Sequence, residues 1–242
     1  MFSKAFRITL RRVHRWAGVI IGIQLFAWVI SGAYFAWVSI DFIKGEDKAK
    51  KMNLASLALG SAAPVSSLSI PNDFQPVSLF LENTPRGPAY RAANASGKRL
   101  YFDGLTGAPL EVLPANAVIS LAVMQEQKAK AQEAILIEEE LSEFRGGPLP
   151  IYQVSLNDWR QTRLYADAYT GKVLARRNRF WRVYDFFWML HIMDFKSRTD
   201  MNNYFLKILS LGAFGIVLSG YFLFALGKMP ARGRDKPPVP RT

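Results

Sequence analysis

WAGVIIGIQLFAWVISGAYFAWVSI, from Trp16 to Ile40, runs for 25 residues without a charge, and ILSLGAFGIVLSGYFLFALG, from Ile208 to Gly227, runs for 20. A helix needs about 20 apolar residues to cross a hydrocarbon layer about 30 Å thick. The two stretches therefore predict transmembrane helices, one over residues 13–40 and the other over 201–227. A buried core helix is the alternative for either, and their length argues against it. A cleaved signal peptide is a further alternative for the first, but a signal's apolar region is only about 7–15 residues long. The Trp16–Ile40 stretch is longer and rich in Trp and Tyr, so a retained anchor is expected.

The net charge is +12 over 242 residues, and much of it lies at the two ends. Lys4, Arg7, Arg11, Arg12 and Arg15 precede the first span, and Lys228, Arg232, Arg234, Lys236 and Arg241 follow the second, against Asp235 alone. Basic residues flanking spans set orientation, which places both termini in the cytoplasm and residues 41 to about 200 outside. A nucleic-acid partner is not expected, because no basic patch remains between the spans. Cysteine is absent, which excludes disulfides, thiolate metal sites and covalent c-type haem.

The region between the spans contains a repeat. Arg99-Leu100-Tyr101-Phe102-Asp103-Gly104-Leu105-Thr106-Gly107 returns as Arg163-Leu164-Tyr165-Ala166-Asp167-Ala168-Tyr169-Thr170-Gly171, with Arg, Leu, Tyr, Asp, Thr and Gly kept in place. Each copy follows a Pro-x-Tyr, at Pro88 and Pro150. Alternation suits a half-buried strand, and Asp-x-x-Thr-Gly supplies the turn. Residues 41–178 thus predict a duplicated α+β domain, with units at about 53–113 and 114–178. The first unit is expected to hold a short helix near 54–59 and strands near 77–81, 89–93 and 99–102. The second should hold an amphipathic helix near 116–130, with Val118, Leu121, Ala122 and Gln125 at helical spacing, and strands near 134–137, 151–156 and 162–168. Glu138-Glu139-Glu140 reads as a solvated face. Residues 179–200 are strongly aromatic but carry Arg182, Asp185 and Asp194, which predicts a helix at the outer membrane interface, with Tyr184, Phe187 and His191 on one face. The cytoplasmic segments are a basic start over 1–12 and a proline-rich tail over 228–242, expected to be disordered.

Only two histidines occur, His14 and His191, each at the edge of an apolar segment. Imidazole is a common axial ligand of haem iron, so both are candidate ligands of a non-covalent haem b. Met189 or Met193 is an alternative second ligand. No Gly-rich dinucleotide fingerprint, P-loop or His-Glu-x-x-His zinc motif occurs, and no catalytic side chain is assigned.

The stretch His14-Arg15-Trp16-x-Gly18-x-x-x-Gly22, the later Ser31-Gly32, the duplicated unit, and the block Tyr184-Asp185-Phe186…Leu190-His191-Ile192-Met193-Asp194 resemble the PepSY-associated transmembrane family of bacteria. The resemblance covers nearly the whole chain. It implies an α+β membrane protein with a PepSY-like domain in the periplasm. It further implies an inner-membrane haem protein that reduces ferric iron or a ferric siderophore, supporting iron acquisition, with a quinol or a cytoplasmic reductase as donor. Larger members carry four membrane helices and this chain carries two, which suggests that two copies assemble into the equivalent bundle.

His14 starts the first helix at the cytoplasmic side, and its outer end near Val38 is about 36 Å away. With His191 near that outer end, the two cannot share one iron. A homodimer with its two-fold axis along the membrane normal would pair each histidine with its counterpart and hold two haems. Arg11, Arg12, Arg15 and Arg182 are candidate partners of haem propionates, with headgroup contacts the alternative. Gly18, Gly22, Gly212, Gly215 and Gly220 would allow close helix approach or make room for a porphyrin. The competing expectation is a tethered binding or regulatory module without a cofactor, which captures a peptide or protein along a strand edge.

Overall fold

The computed structural model describes residues 3–52 and 59–228. In chain order the helices are α1 (Lys4–Trp37), α2 (Ile40–Lys44), α3 (Ala115–Met124), α4 (Arg179–Ile192) and α5 (Tyr204–Lys228). The strands are β1 (Pro76–Thr84), β2 (Gly87–Asn94), β3 (Arg99–Asp103), β4 (Ala131–Ile137), β5 (Ile151–Leu156), β6 (Arg163–Asp167) and β7 (Val173–Arg177). The chain forms two compact units, one made of residues 1–37 and 184–242 and the other of residues 38–183. Most of the short helix expected near 54–59 and the tail beyond Lys228 lie outside the described residues.

In the first unit, Ser3 Oγ accepts the Phe6 amide at 3.1 Å and Asn203 Oδ1 accepts the Leu206 amide at 2.9 Å. These caps satisfy amides left free at the starts of α1 and α5. At 1.5 Å per residue the two helices are about 51 and 38 Å long, enough to cross a bilayer. They pack antiparallel: Phe6 meets Phe222 edge to face at 6.4 Å and His14 meets Ser219. A Cβ on Gly212 would come within 2.7 Å of Ile21 Cδ1, so glycine is what admits that close approach. Apolar side chains around both helices face outward, with Ile20 69%, Ile23 72% and Leu211 72% exposed. A water-soluble core helix would bury them, whereas lipid is the solvent they require. The chain is a membrane protein with two transmembrane helices.

The second half of α4 packs along α1. Tyr184 and Trp188 contact Phe35, and Phe187 contacts Tyr34. Trp28 Nε1 donates to the His191 carbonyl at 2.8 Å, and Gln24 Nε2 donates to the Leu190 carbonyl at 2.9 Å. Contacts that ascend α4 while descending α1 align the helices side by side, whereas the charges of this segment suggested a helix lying flat. Those charges are compensated: Asp185 pairs with Arg198. Asp194 accepts the backbone amides of Lys196, Ser197, Thr199 and Asp200 at 3.0–3.1 Å. The Ser197 hydroxyl, followed by these amides, holds the Asp194 carboxyl well below the usual carboxylate range.

The second unit has two antiparallel sheets, ordered β1-β2-β3 and β4-β5-β6-β7. Val118 and Ala122 of α3 pack on Val154, Leu164 and Ala166, all fully buried. The repeat closes each time with the same turn. Asp103 Oδ1 accepts the Leu105 and Thr106 amides and the Thr106 hydroxyl at 2.8–3.0 Å, and Asp167 Oδ1 accepts the Tyr169 and Thr170 amides and the Thr170 hydroxyl at 2.9–3.0 Å. Gly107 at φ 76° and Gly171 at φ 69° supply the left-handed residue that the turn requires. Strand β7, which was not expected, follows the second turn. Its Leu-Ala-Arg-Arg run reads as polar, yet Arg176 is buried against Glu126 at 2.5 Å. The copies interlock through the Tyr101 hydroxyl, which donates to Asp167 Oδ2 at 2.7 Å, and through stacking of Tyr101 on Tyr169 at 4.8 Å.

Candidate functional site

Both histidines lie in the helical unit, and each is held by a serine of another helix. His14 Nδ1 is 2.7 Å from Ser219 Oγ of α5, and His191 Nδ1 is 2.8 Å from Ser31 Oγ of α1. Neither Nε2 has a hydrogen bond among the described residues. The two sites are not brought together. His191 stands at the level of Ser31, and that residue is 17 positions from His14, about 26 Å along α1.

His14 faces an open recess of about 480 Å³ formed with Ile216, Val217, Gly220, Tyr221 and Phe224 of α5. A Cβ on Gly220 would lie 3.4 Å from His14 Cε1, so glycine keeps the Nε2 edge of the ring uncrowded. Apart from the tyrosine hydroxyl the lining carries no polar side chain. His191 sits in an aromatic cluster, with the Phe35 and Trp28 rings 5.5 and 6.3 Å away.

Arg11 and Arg12, within the turn before His14, and Arg15, the residue after it, are exposed and, with Ile8, line a separate cavity of about 310 Å³. None forms an ion pair among the described residues. Arg182 is different. Its guanidinium is bound to both carboxylate oxygens of Glu143 at 2.7 and 3.3 Å and to the Gln161 carbonyl at 3.2 Å. It ties the start of α4 to Glu143. Met193 lies just beyond α4 at φ 56°, in the loop that Asp194 organises.

These features suit a haem. An imidazole with an unengaged nitrogen, an apolar recess within the 300–1,000 Å³ range of cofactor pockets, and arginines close to His14 in sequence that form no ion pair among the described residues are the groups that an iron, a porphyrin face and two carboxylates would call for. The recess is open on its outer side, so this chain alone would cover only one face of such a group.

A second cavity, of about 260 Å³, lies between the repeats and is lined in part by Glu82, Arg91, Arg99, Tyr101, Asp167 and Lys172. Glu82 binds Arg91 at 2.5 Å and Lys172 at 3.1 Å, and the buried hydroxyl of Tyr101 is taken by Asp167. Its charges largely compensate each other. Burial, reinforced by Asp167 and Glu143, raises the Tyr101 and Tyr165 hydroxyls well above the usual tyrosine range, which suits packing better than ligation of ferric iron. Among the described residues there is no group of three or more Asp, Glu, His or Cys that could hold a metal ion.

The serine partners were not identified from sequence, although Ser31-Gly32 and Ser219-Gly220 share a dipeptide that pointed to them. No curated protein and no solved structure matches the chain. The model of a family described as the PepSY-associated TM region matches residues 11–237, which takes in both membrane helices, both histidines and the duplicated domain: the chain belongs to the PepSY-associated transmembrane family.

Proposed function

We propose that this protein is a haem-containing inner-membrane reductase that passes electrons outward to ferric iron or a ferric siderophore. The observation that carries the reading is the arrangement of its only two histidines, each anchored through Nδ1 with Nε2 unengaged, at two levels about 26 Å apart along one helix. Haem b bound at these levels supplies one-electron chemistry. His14 and His191 would hold the iron, and Arg11 and Arg15 the propionates at the inner level. The open recess beside His14 is closed by a second copy of the chain, so that a two-fold dimer holds two haems. In this reading the N-terminus lies in the cytoplasm, near a quinol or cytoplasmic donor, and the duplicated domain in the periplasm, where it would meet the iron substrate; the basic start supports that orientation.

The test is an oxidised-minus-reduced visible spectrum of detergent-purified protein, with haem quantified per chain. A bis-His b-type spectrum near one haem per chain is expected, and His14→Ala and His191→Ala should each remove one component together with ferric reduction. Full reduction activity in both variants overturns the mechanism.

A second reading, a cofactor-free binding module, draws support from the edge strands β1 and β4, which expose Val77, Phe80 and Ile135. An added strand from a partner peptide would cover them. A colourless protein expressed with ample haem favours this reading.

A further inference from the structure

We infer that Ser31 and Ser219 are positioning residues that lock His191 and His14 in the Nδ1–H tautomer, so that each ring presents the bare Nε2 lone pair to a metal. The inference rests on the haem reading only in naming the iron.

A serine hydroxyl has one proton and two lone pairs. In both serines a carbonyl of the serine's own helix stands within reach of that proton: the Trp28 carbonyl is 3.1 Å from Ser31 Oγ, and the Ile216 carbonyl is 2.9 Å from Ser219 Oγ. With the proton donated there, lone pairs face the imidazoles at 2.8 and 2.7 Å, and Nδ1 carries the proton in that arrangement. In a neutral ring Nε2 is then the acceptor.

The arrangement matches the general design of histidine metal sites, where the second ring nitrogen donates to an outer partner that fixes the tautomer and ring orientation. Here it occurs twice, with the roles of the helices exchanged: α1 supplies the histidine at one level and the serine at the other.

The experiment is nitrogen NMR of the full chain, haem-free, in detergent at mildly alkaline pH, with isotope-labelled histidine. With two histidines in the sequence, each ring serves as the folding control for the other. Both should report Nδ1–H. Ser219→Ala should lower the Nδ1–H to Nε2–H ratio of His14 about five- to ten-fold, the worth of one hydrogen bond, and leave His191 unchanged. Ser31→Ala should do the converse, and Ser→Thr at either site should restore the ratio. In the haem-loaded protein the same alanine variants should weaken haem retention about 10- to 100-fold. Nε2–H in the wild type, or ratios unmoved by the alanine variants, overturns the inference whether or not haem binds. A protein that takes up no haem but shows the serine-dependent tautomer leaves the inference standing and removes the haem reading instead.

Discussion

Tyr101 and Tyr165 occupy the same position of the repeat, yet their hydroxyls should differ in worth. Tyr101→Phe keeps the ring and its stacking on Tyr169, and removes the hydroxyl's bond to Asp167 Oδ2. Asp167 is 4% exposed, and its other oxygen is committed to the turn. The deletion therefore strands a buried carboxylate oxygen and should cost about 1.5–3 kcal/mol, the value of a hydrogen bond to a charged group. Tyr165→Phe removes the bond to Glu143 and a longer one to Gln153 Oε1 at 3.3 Å, but Glu143 keeps Arg163 at 3.1 Å and Arg182 at 2.7 Å. Its cost should be nearer about 0.5–1.5 kcal/mol. For a domain of this size about 1 kcal/mol moves Tm by roughly 2–4 °C, so Tyr101→Phe should lower the melting temperature by about 3–12 °C and Tyr165→Phe by about half as much. Near-ultraviolet circular dichroism of the full chain in detergent measures both. Equal losses, or a larger loss for Tyr165→Phe, would refute the idea that the Tyr101–Asp167 bond holds the repeats together.

Burial, acting against the pull of Arg176, pushes the Glu126 carboxyl from 4.5 up to about 7. A raised folded-state value means that the native state binds the extra proton. This contribution is fully present below about pH 4.5 and is lost as pH rises through about 7, by no more than about 3 kcal/mol. Glu126→Gln should flatten that part of the stability profile, and an unchanged urea midpoint difference between mildly acidic and neutral pH in this variant contradicts the assignment. Gly220→Leu fills the recess beside His14 and should remove the haem component assigned to His14 while sparing that of His191; difference spectroscopy reads both. Asp194→Ala should speed hydrogen exchange at the Lys196, Ser197, Thr199 and Asp200 amides without altering exchange in β5 and β6, and unchanged loop exchange counts against its role as loop organiser.

Arg182 has a partner that sequence reasoning did not identify. In sequence it is one more arginine in a membrane-proximal aromatic segment, whereas in the fold it is held by Glu143, a residue that no local pattern marked. Strand β7 was missed for a related reason, because Arg176 looks like a solvated residue until Glu126 is placed beside it.

The membrane spans, the duplication and the Asp-x-x-Thr-Gly turns were legible in the sequence alone, because each depends on composition or hydrogen bonding within a few residues. The identity of the two candidate ligands was legible as well, since the chain offers no other histidine. Only the tertiary structure placed a serine hydroxyl against Nδ1 of each histidine. Ser219 is 205 residues from His14 and Ser31 is 160 from His191. Their meeting depends on the axial register of α1 against α5 and α4, which is set by close packing between distant parts of the chain.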